Sequence, residues 1–210
     1  MVRILWDWNG TLLDDVEISR GILNGMLARR SLPAVSPERY REIFRFPIID
    51  YYRLAGFDFA KEPYEVIAQE YIETYPIAAK DAPLAQGAAE ILAAVRAAGF
   101  RQTIISACER ETLQTQVASL GVDGYFDAIC GADDGFGGGK EQVAARWLAQ
   151  NSDDGERRFY VGDTLHDFET AKILGCTPIL VTYGHQDRAR LEQCGAVVID
   201  SLTELRDIIF

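Results

Sequence analysis

Residues 2–11 read VRILWDWNGT, an apolar run that stops at an acidic residue and continues into a polar segment with one glycine. The run Val2–Trp6 has the continuous apolar character of a strand that is buried on both faces of a parallel sheet. Asp7 follows it directly, and Gly10 permits a tight backbone turn nearby. In parallel α/β sheets, ligands bind beyond the carboxyl ends of the strands. The stretch therefore predicts a buried strand that presents a carboxylate to a binding site.

The same strand character recurs in the second half of the chain. Further apolar runs cover residues 102–105, 126–130, 158–161 and 179–182, with a weaker one at 196–199. Helical patterns cover residues 84–98, 109–120, 141–150 and 165–174. Gly99, Gly121 and Gly175 each stand just past the last apolar position of a helix, where a left-handed cap residue is favoured. This alternation predicts the α/β class, with a doubly wound parallel sheet and right-handed crossovers.

Residues 15–80 interrupt the alternation. A helix is predicted at 15–30, a second helix starts at Ser36–Pro37 and is interrupted by Pro47, and a third covers 62–75 and ends at Pro76. Because this segment shows no strand pattern, we expect an all-helical insertion at 15–80 within a core formed by 1–14 and 81–210. The segment 133–139, DDGFGGG, predicts a flexible loop.

The bulk properties limit the class of protein. The 210 residues suit one Rossmann-sized domain with a small insertion, and the net charge of −11 disfavours nucleic acid and anionic membranes as partners. No apolar stretch has the length of a membrane helix, and residues 1–6 lack signal-peptide features. The four cysteines form no C-x-x-C pair, which favours free thiols in a reducing cytosol. We therefore expect a cytoplasmic protein with no membrane partner, and a monomer because no feature demands assembly.

Polar clusters follow four of the predicted strands. Each cluster has a functional interpretation and a purely structural one. In the segment 7–11, the acidic side chain is either a nucleophile or metal ligand, or it closes a turn in which Thr11 and Asp14 form a capping box. Ser106 follows the strand at 102–105. Its hydroxyl can hold a phosphoryl oxygen, or it can form an S-x-x-E capping box with Glu109.

The other two clusters come later in the chain. Lys140 follows three glycines at a predicted helix start, where it either neutralises phosphate and a nucleophilic carboxylate or is simply solvated. The segment 162–167, GDTLHD, crosses from a strand end into a helix. Asp163 and Asp167 there suit Mg²⁺, while the alternative is that Thr164 caps the helix with Asp167 as its partner.

Taken together and in this order, the four clusters resemble the motifs of the haloacid dehalogenase superfamily. The matching residues are Asp7-x-Asn9-Gly10-Thr11, Ser106, Lys140 and Gly162-Asp163-x-x-x-Asp167. The resemblance covers nearly the whole chain, and the helical insertion lies where the family's C1 cap sits, as in proteins similar to phosphoglycolate phosphatase and β-phosphoglucomutase. It implies an Mg²⁺-dependent phosphatase of a small phosphorylated metabolite.

The resemblance also implies roles for individual residues. Asp7 attacks phosphorus and forms an aspartyl-phosphate. Asp7, the backbone carbonyl of Asn9 and Asp163 hold Mg²⁺, and Asp167 orients a ligand or a bound water. Ser106 and Lys140 stabilise charge on the phosphoryl oxygens. The candidate substrate-binding residues are Gly10, Thr11, Arg45, Ala107 and His166.

Five residues need a separate interpretation. Arg45 and Arg53 in the insertion either contact a distal anionic end of the substrate or are solvated, and the second interpretation is favoured. His185 either lines the mouth of the pocket or lies in a surface loop, and again the second is favoured. Trp6 and Trp8 flank Asp7, and we expect both to pack in the core.

One position departs from the pattern of the family's phosphatases. They usually carry an aspartate two residues after the nucleophile, which protonates the leaving alkoxide and then activates water; here that residue is Asn9. An amide cannot shuttle a proton, and general acid–base help is worth roughly 10²–10⁴-fold in rate. The open explanations are a good leaving group such as an acyl phosphate, a proton from another residue such as His166, a long-lived aspartyl-phosphate, or an engineered change.

Asn9 also keeps two other functions open. One is a phosphate-binding or regulatory protein with little turnover, and the other is a phosphotransferase or mutase. If Asn9 limits protonation of the leaving group, Asn9→Asp is expected to raise kcat for alkyl phosphates more than for aryl phosphates.

Overall fold

The computed structural model describes residues 1–133, 139–151 and 155–210. The strands in this part of the chain are β1 (Val2–Trp6), β2 (Arg101–Glu109), β3 (Ala128–Ala132), β4 (Arg157–Gly162), β5 (Thr177–Val181) and β6 (Val197–Ile199). The α-helices are α1 (Val16–Arg29), α2 (Pro37–Ile43), α3 (Ile48–Ala55), α4 (Tyr64–Ala78), α5 (Ala88–Ala97), α6 (Arg110–Ser119), α7 (Lys140–Gln150), α8 (Leu165–Ile173), α9 (Arg188–Leu191) and α10 (Leu205–Ile209). Most of the predicted flexible loop 133–139 lies outside the described residues.

The strands form one parallel sheet in the order β3-β2-β1-β4-β5-β6, which confirms the predicted doubly wound α/β fold. Successive side chains of β1 point to opposite faces, so Ile4 and Trp6 join the larger core cluster while Leu5 joins the smaller one. Helices α5, α6 and α10 contribute to the first cluster, and α7 and α8 to the second. Apolar side chains cover both faces of the sheet, as the continuous run in β1 predicts.

The order of the strands places the site. From β1 the sheet continues through β2 to β3 on one side, and the chain then crosses to β4, β5 and β6 on the other. The strand order therefore reverses between β1 and β4, and the carboxyl ends of these two strands border the crevice where ligands of such sheets bind. Asp7 and Asp163 follow these two ends.

The predicted helix ends are confirmed at three glycines. Gly99, Gly121 and Gly175 follow α5, α6 and α8 with φ of 75°, 67° and 64°, in the left-handed region. Helix α5 begins later than the predicted residue 84, because Leu84 pairs with Leu13 in an isolated β-bridge. The strands also extend beyond the predicted runs, since backbone pairing continues past the apolar residues.

Helices α1 to α4 occupy the predicted insertion. Ser36 caps α2 by accepting a hydrogen bond from the Arg39 N–H at 3.1 Å, as the Ser-Pro pair predicts. The prediction that Pro76 ends the third helix is wrong. Helix α4 runs on to Ala78 with Pro76 inside its last turn, and the Ala79 N–H still bonds to the Tyr75 carbonyl at 2.8 Å.

Two linker segments connect the insertion to the sheet. The Asp14 N–H donates to the Pro83 carbonyl at 2.9 Å, and the Ala85 N–H donates to the Leu12 carbonyl at 2.8 Å. These two bonds join the start and the end of the inserted segment side by side. In the described ranges, no helix combines the length and apolar character that a membrane crossing requires. The four cysteines are free thiols, as predicted.

Candidate active site

A buried lysine lies between two carboxylates at the centre of the site. Lys140 Nζ is 2.8 Å from Asp7 Oδ1 and also pairs with Asp167. Lys140 is 3% exposed, which excludes the interpretation of a solvated lysine. Burial lowers the pKa of Lys140, but the carboxylates of Asp167 and Asp7 raise it above its ordinary value. Lys140 is therefore a fixed positive charge beside the candidate nucleophile.

Asp163 is held by one side-chain donor and one backbone donor. Its Oδ1 accepts a hydrogen bond from the Thr11 hydroxyl at 3.2 Å, and its Oδ2 accepts one from the His185 N–H at 2.6 Å. Gly10 has φ of 69°, and a Cβ there would stand 2.5 Å from Asp163 Oδ2. A Cβ on Gly184 would also collide with this side chain. The two glycines leave the space in which the carboxylate sits.

Asp167 combines the two interpretations that the sequence left open. Its Oδ2 accepts hydrogen bonds from the Asp163 and Thr164 N–H groups at 3.1 and 2.9 Å, and Thr164 and Asp167 form the predicted capping box of α8. Its Oδ1 faces Lys140. Asp167 thus fixes the start of α8 and the position of the lysine at once.

Three carboxylates converge in this pocket. One oxygen from each of Asp7, Asp163 and Asp167 lies within 4.8 Å of the other two, and all three residues are buried. Burial and the charge of Asp167 raise the pKa of Asp7 to about 8 although Lys140 opposes them, and burial raises that of Asp163 to about 6. Burial likewise acts on Asp167, but Lys140 and Thr164 bring its pKa below the ordinary value. A divalent cation with a preference for oxygen ligands would relieve the crowding, so the donor set fits Mg²⁺.

Ser106 lies close to these groups, in the irregular end of β2. The pairing of β2 with β3 shifts register between Ile105 and Glu109. The Ser106 hydroxyl accepts a hydrogen bond from the Cys108 N–H at 3.1 Å, and Glu109 itself caps α6. The alternative capping box of Ser106 with Glu109 is therefore not formed, and the hydroxyl and Ala107 both line the cavity.

Asn9 belongs to a second buried network. Its amide nitrogen donates to Asp15 Oδ2 at 2.8 Å and also contacts the Tyr75 hydroxyl, which itself donates to Asp15 at 2.7 Å. The Gly10 N–H donates to the other oxygen of Asp15 at 2.8 Å. Burial raises the pKa of Asp15, but His185, Tyr75 and Asn9 together bring it below its ordinary value. A carboxylate therefore lies directly beside the amide that replaces the family's usual aspartate.

His185 joins this network to the insertion. It is 5% exposed, so the interpretation as a surface-loop histidine is wrong. Its Nε2 is 3.5 Å from Asp15 Oδ1, its Nδ1 is 2.8 Å from the Tyr40 hydroxyl, and its ring stacks on Phe44. Because Phe44 follows α2, these contacts bring the insertion directly onto the site.

Polar contacts around His185 hold the insertion closed over the sheet. Arg41 donates to the Gly184 carbonyl at 3.1 Å, while Gln186 and Arg190 donate to the Phe44 carbonyl at 3.0 and 2.6 Å. Below this contact lies a cavity of about 410 Å³ that the insertion and the sheet line together. Its floor includes Asp7, Ser106 and Lys140. Its upper wall is largely aromatic and includes Tyr40, Phe44, Phe46, Tyr51, Tyr52 and Tyr71.

Comparison with known proteins agrees with this geometry. The family model of the haloacid dehalogenase-like hydrolases matches residues 4–181, which contain all four motif segments. The chain belongs to this family. A phosphoglycolate phosphatase of Caulobacter vibrioides is 27% identical over 216 residues, covering 96% of this chain and 88% of the relative. The expected enzyme class, a hydrolase of this family, is confirmed.

Two further proteins are similar to this chain. The tyrosine-protein kinase PtkA of Mycobacterium tuberculosis is 29% identical over 130 residues, which are 60% of this chain but only 45% of that protein's length. A solved haloacid dehalogenase-like family protein from Streptococcus pneumoniae superposes with a TM-score of 0.82 at 17% identity, covering 100% of this chain and 99% of that one. The second likeness establishes the shared haloacid dehalogenase fold.

Not every residue predicted from the family resemblance reaches the cavity. Thr11 contacts Asp163, and Gly10 makes room for it. Arg45 is absent from the cavity lining in the described ranges, and its Nε donates to the Ile43 carbonyl at 3.3 Å. His166 is also outside that lining, with its Nε2 2.7 Å from Glu141 and its ring against Phe46. Neither position favours direct contact with a substrate.

Sequence reasoning missed two residues of this haloacid dehalogenase site. Asp15 was assigned to the start of the insertion's first helix, and Tyr75 to the end of its last one. The two consecutive acids at 14 and 15, one helical turn after the nucleophile segment, were the available signal for the first. Tyr75 lies 66 positions from Asn9 in the chain, and no local pattern indicates that contact. Trp6 and Trp8 pack in the core, as expected.

Proposed function

We propose that the protein is an Mg²⁺-dependent phosphatase that hydrolyses a small phosphorylated metabolite through an aspartyl-phosphate on Asp7. The observation that carries the proposal is the position of Asp7. It follows the central strand at the reversal of strand order, 2.8 Å from Lys140 and beside Asp163, on the floor of the cavity between the insertion and the sheet. The phosphatase activity for which the Caulobacter vibrioides relative is named supports the same reaction class.

In the first half-reaction, a carboxylate oxygen of Asp7 attacks phosphorus, the bond to the leaving oxygen breaks, and an aspartyl-phosphate forms. Lys140 and the Ser106 hydroxyl stabilise the charge of the phosphoryl oxygens, since phosphoryl transfer depends mainly on positioning and electrostatics. In the second, water attacks phosphorus and the bond to Asp7 breaks, which releases phosphate.

The metal requirement rests on the same cluster. Asp7, Asp163 and the backbone carbonyl of Asn9 would hold Mg²⁺, and Asp167 would orient a bound water from its place beside Lys140. When bound, the ion neutralises phosphoryl charge and lowers the pKa of Asp7, so that the carboxylate is ionised and able to attack.

The test is hydrolysis of p-nitrophenyl phosphate with and without Mg²⁺. Activity is expected to need the metal and to fall by at least about 10³-fold in Asp7→Asn, because the nucleophile is lost. Asp14→Asn makes the same chemical change at an exposed acid seven residues along and is expected to keep near-normal activity. Activity that survives Asp7→Asn, or that is indifferent to Mg²⁺, would refute the proposal.

Asn9 favours one second candidate, a phosphate-binding or regulatory protein with little turnover. Its amide is engaged with Asp15 and Tyr75 and cannot deliver a proton. Acid-quenched samples analysed by mass spectrometry separate the two functions. A phosphatase shows phosphorylated Asp7 at low steady-state occupancy during many turnovers, whereas a regulatory protein accumulates it with about one phosphate released per chain or fewer.

A further inference from the structure

The chemical character of the upper wall of the cavity indicates which leaving group of a substrate the site accepts. The side chains of α2, α3, α4 and the segment after α2 that line it are mainly rings and aliphatic groups, among them Phe44, Phe46, Tyr51, Ile72 and Tyr71. A surface of this kind accepts a flat apolar group by stacking and by burial of apolar area. We propose, on the basis of the proposed function, that the substrates are aryl phosphate monoesters whose aromatic ring carries no charged substituent.

Three of the six tyrosines that line the cavity already use their hydroxyl groups within the protein. The Tyr71 hydroxyl is 3.0 Å from the Ser19 hydroxyl, that of Tyr75 donates to Asp15, and that of Tyr40 meets His185. These tyrosines therefore present ring surface rather than free polar groups to the cavity. A sugar or polyol would bury hydroxyls against this wall, and each buried hydroxyl without a partner is costly.

The charges around the cavity argue against a second anionic group on the substrate. Among the described lining residues, Lys140 is the only lysine or arginine, and it is paired with Asp7 and Asp167. Asp15 and Glu109 also line the space. A leaving group with a carboxylate, such as that of phosphoglycolate, would thus meet negative charge and find no free cation in the cap wall. A neutral ring meets neither problem.

The chemistry of the leaving group fits the amide at position 9. When the bond from phosphorus to the ester oxygen breaks, an aryl ester releases a phenolate, which takes its proton from water afterwards. Phenols ionise near pH 10, far more readily than alkyl alcohols, so a phenolate departs without a general acid. The aromatic wall and Asn9 are independent features of the chain, and both select the same substrate class.

Four substrates separate the effect of an aromatic ring in the substrate from the effect of a good leaving group. Phenyl phosphate has both features, 2-phenylethyl phosphate has the ring but an alkyl leaving group, acetyl phosphate has a good leaving group without a ring, and phosphoglycolate has neither. We expect kcat/KM for phenyl phosphate to exceed that for phosphoglycolate by at least about 100-fold. Between the two alkyl esters, 2-phenylethyl phosphate is expected to have a KM about 10-fold lower, the equivalent of roughly 1.4 kcal/mol.

A pair of variants tests the cap wall directly. Ile72→Arg places a cation in the cavity, and Ile77→Arg makes the same change on the same helix at a side chain that is 79% exposed. Ile72→Arg is expected to lower the ratio of kcat/KM for phenyl phosphate to kcat/KM for phosphoglycolate by about 10-fold or more. Ile77→Arg is expected to leave this ratio unchanged. Circular dichroism and gel filtration check that both variants fold; if Ile72→Arg does not, Ile72→Lys takes its place.

The outcomes distinguish this inference from the proposed function. If phosphoglycolate matches or exceeds 2-phenylethyl phosphate in kcat/KM while Mg²⁺-dependent hydrolysis is intact, the aryl assignment is overturned and the phosphatase stands. If no phosphate ester is hydrolysed, the phosphatase fails. In that case, calorimetry with Mg²⁺ present identifies the class of ligand that the cavity binds. The aryl assignment requires the non-hydrolysable phenylphosphonate to bind more tightly than phosphonoacetate. Equal affinities, or tighter binding of phosphonoacetate, would reject the aryl assignment.

Discussion

At the scale of single residues, the contact between Asn9 and Asp15 explains why an amide stands at position 9 of the site. The two side chains share a hydrogen bond of 2.8 Å, and Tyr75 touches both. An aspartate at position 9 would bring two carboxylates to this distance in a buried place, and like charges so close cannot both ionise easily. The amide is therefore the residue that suits a site in which position 15 is already acidic.

This pairing modifies the expected effect of restoring the family's aspartate. Asn9→Asp alone is expected to raise kcat for 2-phenylethyl phosphate only slightly, because the new carboxylate faces Asp15. The double variant Asn9→Asp/Asp15→Asn exchanges the two groups and keeps one acid and one amide in the network. It is expected to raise kcat for this alkyl ester by about 10²-fold or more, within the range of general acid catalysis, and to change kcat for phenyl phosphate far less.

Steady-state kinetics on the two esters check this prediction. Equal gains on both would show that Asn9 does not limit protonation of the leaving group. A single variant as active as the double one would show instead that Asp15 does not oppose a second acid. Single Asp15→Asn serves as the control for loss of the network's charge.

Residue identities in the candidate active site were predictable wherever a strand end fixed them. Asp7, Ser106 and Asp163 each follow an apolar run, and parallel strands bring their carboxyl ends to one edge. Lys140 was predictable from its order in the chain. The role of His185 was not, because a histidine after a strand is equally compatible with a surface loop until the insertion is seen to cover it. Contacts that depend on how two parts of the chain pack leave no local pattern in either.

At the scale of elements, the start of α6 shows how a strand end is joined to a helix beside the pocket. Glu109 accepts hydrogen bonds from the Glu111 and Thr112 N–H groups at 3.0 and 2.8 Å. These satisfy two of the N–H groups that every helix leaves unpaired at its start. Partial burial raises the pKa of Glu109, but these bonds bring it below its ordinary 4.5.

Glu109→Gln is therefore expected to destabilise the protein by about 1 kcal/mol at neutral pH, the usual cost of losing a cap. Since the pKa of Glu109 is depressed in the folded state, its contribution is present above 4.5 and is lost as the pH falls through that region. The difference in urea midpoint between variant and wild type should thus shrink as the pH is lowered below 4.5. Glu90→Gln alters an exposed first-turn acid of α5 and is the matched control. A pH-independent difference for Glu109→Gln would contradict this account.

Helices and strands were predicted well where one physical rule dominated. Continuous apolar runs identified every strand of the sheet, and glycine with positive φ ended three helices as expected. The errors arose where two rules compete. At residues 84–87 the sequence has helical periodicity, but the linker forms a backbone bridge there instead of a helix. At residue 76 a proline predicts a helix end, but the helix continues through it. Propensity is weaker than tertiary context at such boundaries.

At the scale of the whole molecule, the fold concentrates negative charge where the proposed reaction needs a cation. The chain carries a net charge of −11, and three of its carboxylates meet within 4.8 Å around one lysine. Burial raises the pKa of Asp7 to about 8 and that of Asp163 to about 6. Without a further cation, the folded protein holds protons on groups that ionise near 3.8 when unfolded, so ionising these carboxylates opposes folding.

Mg²⁺ is therefore expected to stabilise the native protein, and to do so more strongly at high pH. Because the folded-state pKa values of Asp7 and Asp163 are raised, the metal-free protein is expected to lose stability as the pH rises from about 4 to about 8, and the ion then competes with fewer protons. At free Mg²⁺ about 100-fold above Kd, ligand linkage gives about 2.7 kcal/mol. For a chain of this size that corresponds to a rise in Tm of roughly 5–10 °C.

Differential scanning fluorimetry in EDTA or Mg²⁺ at pH 6 and pH 8 measures the shift, with Ca²⁺ and Na⁺ as ionic controls. Asp163→Asn is expected to abolish the shift and Asp14→Asn to keep it; a shift that persists in Asp163→Asn would place the ion elsewhere.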